Sequence, residues 1–487
     1  MIDQLVKIHD NYSVEIKLGL IARKKKKVSE FAVNTWLFIP NSLDINPYSY
    51  DKKDFYRDIK TNIRLITPVF LLRDIVEGKN SPLKNLQKIF SDVSSNPSRT
   101  NIDLYEYQIK MFCSIMKSAL RDETNHIINN KLKEDTAPLL KKFSENIFSI
   151  SKSYREFRHI INVPTIKDTL LNFYLFGDEF MSNVIEQHAF RLLEFMDSKT
   201  GKKVDNSSKK HLIDLINREI AYKSEKKFPV IKKESPDKNR EFALRMNILK
   251  KYVENVLFLS ARKKRDGIIT EQVYYSLAAG ISMIFATAIA FSIQMKYGNF
   301  TMPLFVALVV SYMLKDRIKE LGRYYFVHQL GHRFFDHKTH ITLNSNKIGW
   351  SKEAMDFISD SKVPEDVIRI RNRSAILEAD NRNRSERIIL FRKLIRLNRK
   401  KLEQCSEYNI SGINEIIRLN ISSFTNKMDN PDMLLHVLGD EEKPKVIRGE
   451  KTYFINLIMQ LKYEEHVSFV RYRLTLNREG IKEIERF

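Results

Sequence analysis

Four of the chain's 11 histidines fall in one short stretch, HQLGHRFFDHKTH, as His328, His332, His337 and His340, with Asp336 among them. On a helix His328 and His332 share a face, and imidazoles at that spacing bind zinc or iron when a third ligand such as Asp336 or His337 folds back. No other constellation in the sequence has metal-like content. It lacks the HExxH glutamate that would act as general base, and the further histidine boxes of membrane di-iron oxygenases. Set among Tyr324, Tyr325, Phe334 and Phe335, these histidines read first as filling for an amphipathic interface. Metal binding or pH sensing is the sharper alternative.

The second chemistry on offer is anion binding. The formal charge is +23, a field that attracts anionic lipid, nucleic acid or acidic protein without choosing among them. Arg23, Lys24, Lys25, Lys26 and Lys27 are consecutive, and Arg392, Lys393, Arg396, Arg399, Lys400 and Lys401 interleave with Leu390, Phe391, Leu394, Ile395 and Leu397. A basic surface with buried apolar partners can track a phosphate backbone or lie on anionic headgroups. The plainer reading of either run is a solvated face.

Other chemistries find little support. There is no GxxxxGK[ST], GxGxxG or GxSxG, and no kinase signature, in a chain with only 14 glycines. Pro431 and Asp432 followed by Glu441, Glu442 and Lys443 superficially match a PD-(D/E)xK nuclease, but the second acid and lysine precede Pro444 in a loop rather than lying on a core strand. Cys113 and Cys405 are far apart and form no CxxC, so no disulfide framework is expected. The first residues show no basic region leading into an apolar one, and no cleaved signal peptide is expected.

The elements that must position these groups begin with two apolar runs, 273–295 and 300–314. The first is long enough to span a bilayer, whereas the second reaches roughly 22 Å against a hydrocarbon core of about 30 Å. Arg262, Lys263, Lys264 and Arg265 precede the pair, and Lys315, Arg317, Lys319 and Arg323 follow it. The positive-inside rule therefore places both soluble parts in the cytoplasm of a bacterial cell with an inner-membrane hairpin. Ala278, Ser282, Ala286 and Ala290, with Ala307 and Ser311, recur every four residues, a spacing that lets helices approach closely. Packing of the two spans on each other is the first reading of that stripe. A homo-oligomeric seam is the second.

Residues 12–20 and 28–39 alternate apolar and polar residues around the run 23–27, which predicts a β-hairpin with a cationic tip. Helical periodicity then governs 54–260. After the apolar pair, turns are expected at 344–347 and 463–466, with strands at 388–397, 452–462, 467–476 and 481–487. Helix-like pieces are expected at 352–359 and 406–426.

The expected architecture is an α+β membrane protein. It comprises an N-terminal β-hairpin region (1–50), a cytoplasmic helical domain (51–265), a transmembrane helical hairpin (271–316), a juxtamembrane amphipathic helix with the His-rich segment (317–345), and a cytoplasmic basic α+β domain with an antiparallel sheet (346–487). The segments SYMLKDRIKELGRYYF and NKIGWSKEAMDFI resemble uncharacterised bacterial inner-membrane proteins with two spans. The likeness covers roughly residues 270–370 and implies placement but no activity.

Three functions follow as expectations. The first is a non-enzymatic scaffold or sensor whose basic face recruits an anionic partner. The second is a zinc- or iron-dependent membrane enzyme using the histidine cluster. The third is a membrane-disrupting effector that oligomerises through the small-residue stripe.

Overall fold

The computed structural model describes the chain except for residues 23–25, 79–80, 131–135, 163–167, 198–205, 299–300, 326–333, 373–385 and 440–442, and the side chains of 206–208. Two compact units emerge: Arg64–Phe258 with Tyr408–Ile410, and Met1–Ile63 with Leu259–Glu407 and Ser411–Phe487.

The first unit is helical, with α1 (Pro82–Ser95), α2 (Arg99–Asn129), α3 (Thr136–Glu156), α4 (Asp168–Asp197), α5 (Asn206–Glu225) and α6 (Pro236–Glu254). Ser81 and Ser98 cap α1 and α2, each hydroxyl accepting from a backbone N–H at 3.3 Å, which satisfies a donor the helix cannot. Ile109, Phe112 and Met116 of α2 are buried. The Tyr154 ring stacks between Phe112 at 5.5 Å and Tyr174 at 5.1 Å. The α4 helix also buries Asp178, Glu179 and Glu186, and these face Arg155, Arg245 and Lys223. Buried carboxylates persist because each has a cationic partner.

The second unit is mixed α+β, built on antiparallel sheets. Its strands are β1 (Ile2–Asp10), β2 (Ser13–Ile21), β3 (Val28–Ile39), β4 (Ile59–Leu65), β5 (Ser260–Arg265), β6 (His337–Leu343), β7 (Asn346–Ile358), β8 (Arg387–Asn398), β9 (Gly412–Asn420), β10 (Asp432–Leu438), β11 (Pro444–Glu450), β12 (Tyr453–Tyr463), β13 (His466–Asn477) and β14 (Gly480–Arg486). One sheet runs β14-β13-β12-β3-β8-β7-β6-β5, a second β1-β2-β9-β4, and β10 pairs only with β11. Ile16, Leu18, Ile417 and Leu419 of the four-stranded sheet line a small internal void together with Val33, Leu37, Phe391 and Met459 of the eight-stranded one. The core therefore lies between these two sheets.

The N-terminal hairpin exists, but its partners differ from those expected. The turn lies between Asp10 and Ser13, and β2 then pairs with β9. The other expected arm, β3, crosses into the eight-stranded sheet between β12 and β8. Because β2 buries residues on both faces, it needs a partner on each side and a cover on each face, which a lone hairpin cannot supply. The expected separation of 1–50 from 346–487 gives way to interleaved strands for the same reason.

Residues 352–359 fall largely on β7, and 412–420 within 406–426 form β9 ahead of a helical turn at Ser422–Thr425, so the first helix expectation is corrected to strand and the second is corrected over 412–420. In each, β-branched or large apolar residues meet long-range partners that outweigh local helical pattern. The turns at 344–347 and 463–466 are present: Leu343 pairs with Asn346, and Tyr463 with His466. Asn344 and Ser345 adopt φ of 47° and 67°, as a two-residue hairpin turn demands.

Between β5 and β6 stand α7 (Ile268–Tyr297) and α8 (Met302–Tyr325). Among the described residues α7 is the one helix long and apolar enough to cross a membrane. The expected second span does not meet that measure, because Lys315, Asp316 and Arg317 cut the apolar stretch of α8 short. The helix α8 runs on past its apolar stretch to Tyr325, within the segment expected as juxtamembrane helix, and residues 337–343 of the His-rich part form the strand β6.

Candidate functional site

The exposed edge strand β5, sequence SARKKR, leads through Asp266 and Gly267 directly into α7. Strand alternation divides its cations between two faces. On the inner side, Lys263 pairs with Glu353, and Arg265 lies 2.9 Å from Glu271. On the outer side, Arg262 stands opposite His340, then Trp350, then Arg396, while Lys264 stands opposite Lys338 and then Lys352. Directly opposed residues share a face, so four neighbouring strands contribute to one basic surface.

Lys338 and Lys352 hold their ammonium groups 5.5 and 5.6 Å from the Trp350 ring. Lys352 is also paired with Asp266 at 2.7 Å, and Arg392 with Asp356 at 2.9 Å. Among the described residues, Arg262, Lys264, Lys338 and Arg396 have no carboxylate within ion-pair distance. Burial, then the cations of Lys347, Lys338 and Lys264, push the His340 imidazole below its ordinary range. Burial is the larger cause, and the three lysines add to it in the same direction. Farther along the same face, Val363 and the α9 residue Val367 (helix Glu365–Arg371) cover Trp36, Phe38 and Ile458. On the β5 side Arg262, Lys264 and Arg396 are exposed, and Lys338, His340 and Trp350 are half-buried among the described residues.

The predicted basic residues distribute unevenly. Lys393 points inward and is buried, 2.6 Å from Glu415 and 3.5 Å from Glu353. Arg399 is also buried, with its guanidinium on Glu403 at 2.6 Å and the Ala22 carbonyl at 2.5 Å. Arg396, Lys400 and Lys401 are exposed. Arg23, Lys24 and Lys25 lie outside the described residues; Lys26 pairs with Glu464 at 3.0 Å, and the Lys27 carbonyl accepts from the Arg399 backbone.

Of the candidate metal ligands, His328 and His332 lie outside the described residues. Asp336 and His337 help to line a cavity of about 420 Å³ with Lys52, Lys53, Tyr56 and Arg265. The Asp336 carboxylate accepts from Lys52 Nζ, Tyr56 OH and Met355 N, each at 2.8 Å. Burial works to raise its pKa, but these donors outweigh it and the group sits below the usual carboxylate range. His337 packs edge-on against Tyr56 at 4.4 Å, and burial followed by Lys263 lowers its pKa. Among the described residues no group of three or more His, Cys, Asp or Glu side chains is arranged to hold a metal ion.

The small-residue stripe lies between α7 and α8. Ser282 and Ser311 are the buried residues of these helices, and Ser311 Oγ donates to the Ala286 carbonyl at 3.0 Å. A Cβ built on Gly322 would lie 2.7 Å from that of Ala278. Large apolar residues such as Leu277, Ile281, Phe305 and Val306 point outward.

Arg262 and Lys264 stand beside the apolar run in sequence, whereas Lys338, His340, Trp350 and Lys352 become their companions only through strand pairing. The alternation in Trp350, Ser351 and Lys352 was the available signal, and a helical reading of the next residues hid it.

No family model, no curated protein and no solved structure matches this chain.

Proposed function

We propose that the chain is a membrane-anchored interaction protein whose basic sheet face recruits an anionic partner. In this reading α7 crosses the bilayer of a bacterial inner membrane, α8 accompanies it as a shorter second span, and both soluble units lie in the cytoplasm. One observation carries it: a 30-residue apolar helix with an outward-facing apolar surface begins immediately after an exposed strand of four cations. Apolar side chains arrayed around a helix are costly in water and favourable in lipid. Lys315 and Arg317 lie where snorkelling can accommodate the shorter apolar stretch of α8.

The interaction role is favoured by the four cations of this face, Arg262, Lys264, Lys338 and Arg396, that no described carboxylate pairs, while Lys352 and Arg392 are held by Asp266 and Asp356. Alkaline carbonate extraction of membranes containing the full chain tests the anchoring. Retention in the pellet is expected, whereas release with peripheral proteins would refute it.

A further inference from the structure

We infer that the open part of the outer sheet face, formed by Arg262, Lys264, Lys338, Trp350 and Arg396, binds the phosphate groups of anionic lipid headgroups. This inference rests on the proposed anchoring and names the partner of the same face.

Proximity is the first argument. Lys264 is four residues from the first residue of α7, and at about 3.4 Å per residue the chain can separate them by no more than roughly 14 Å. An inserted α7 therefore keeps the edge of the face near the headgroup layer. Juxtamembrane Lys and Arg residues gain from the negative surface potential there.

Composition supplies the second argument. Arg262, Lys264, Lys338 and Arg396 lack carboxylate partners among the described residues, so phosphate binding disrupts no described ion pair. Trp350 sits in the same row of opposed residues as Arg262 and Arg396. An indole with its ring against apolar matter and its N–H toward water is suited to the membrane interface.

A single-stranded nucleic acid fits less well. Binding of successive bases usually draws on several aromatic platforms, and the opposed row from Arg262 to Arg396 holds one indole, Trp350.

The test uses the full chain with Trp36→Phe, which leaves Trp350 as the only tryptophan. The protein is reconstituted into nanodiscs of phosphatidylcholine alone or mixed with phosphatidylglycerol, some containing a lipid with a spin-label quencher near the headgroup. Trp350 emission should shift to the blue and be quenched in the anionic discs. Arg262→Glu, Lys264→Glu and Arg396→Glu together should abolish the difference, while thermal unfolding remains cooperative. Each single neutralisation, Arg262→Gln, Lys264→Gln or Arg396→Gln, should lower anionic preference about five-fold, following the surface attraction of one basic residue.

A chain that stays out of the discs overturns the anchoring and this site with it. A chain that enters the discs but has the same Trp350 signal in both lipids overturns the headgroup site alone. Tighter binding of oligothymidylate than of anionic lipid to the same face also overturns it, in favour of nucleic acid.

Discussion

Lys393 on β8 reaches Glu415 on β9 with 2.6 Å between Nζ and Oε1, so a buried ammonium joins the two sheets across their shared core. Glu353, opposite Lys393 on β7, lies 3.5 Å away on the other side. Burial alone would discharge this lysine, but Glu415 and Glu353 outweigh it and hold its pKa above the ordinary value. A residue that looks like part of a basic surface is thus an internal tie.

Lys393→Met should destabilise the sheet unit by about 3–5 kcal/mol, because Glu415 keeps its buried charge without the ammonium. Adding Glu415→Leu should recover much of that loss. Urea unfolding followed by tryptophan fluorescence checks this, since Trp36 and Trp350 both lie in the unit; equal losses in the single and double variants would count against the tie. The raised pKa means that the stabilisation is fully present below the unfolded lysine value near 10.4 and is lost as pH rises through the folded value.

Asp336 predicts the opposite pH dependence. Its folded pKa is lowered, so its contribution is present above the unfolded aspartate value near 3.9 and drains as pH falls through the folded one. Asp336→Asn should cost about 1.5–3 kcal/mol at neutral pH through weaker charged hydrogen bonds and flatten the acid side of the stability profile. Midpoints measured between pH 2 and 6 are the check, and an unchanged acid slope in the variant would contradict it.

The closeness of Ala278 and Gly322 predicts a cross-link. With Ala278→Cys and Gly322→Cys in one chain, oxidation should form a disulfide within that chain once the two helices part by about 1 Å, since the 2.7 Å Cβ separation is well short of the roughly 3.5–4.5 Å that a disulfide spans. The product should migrate as a compact monomer on a non-reducing gel. A covalent dimer as the main product would instead favour the stripe as a seam between copies.

The β10–β11 hairpin offers a stability contrast. Leu438 is 73% exposed, whereas Leu457 of β12 is fully buried. Leu438→Ser should change unfolding free energy by less than about 0.5 kcal/mol, while Leu457→Ala should cost about 2–5 kcal/mol. A thermal-shift comparison separates them, and similar losses would show that the hairpin is packed.

Local pattern made part of this architecture legible. The apolar helix at 268–297 and the hairpin at 463–466 follow from composition and turn chemistry over a few neighbouring residues. The pairing of β2 with β9 could not be read that way, because Ile16 meets Ile417 across some four hundred residues. Lys393 and Arg392 differ in role although they are adjacent, since alternation sends one inward and the other outward. Knowing which required the neighbouring strands.

The central claim is that α7 crosses a bilayer and leaves the basic face on the cytoplasmic side. Its most direct test is labelling of single cysteines at Lys296 and Arg262 in otherwise cysteine-free full-length chains, using a membrane-impermeant maleimide on intact cells with a permeabilised outer membrane. The account predicts labelling at 296 in intact cells and at 262 only after the inner membrane is opened. Labelling at 262 in intact cells, or at 296 only after that membrane is opened, would contradict it.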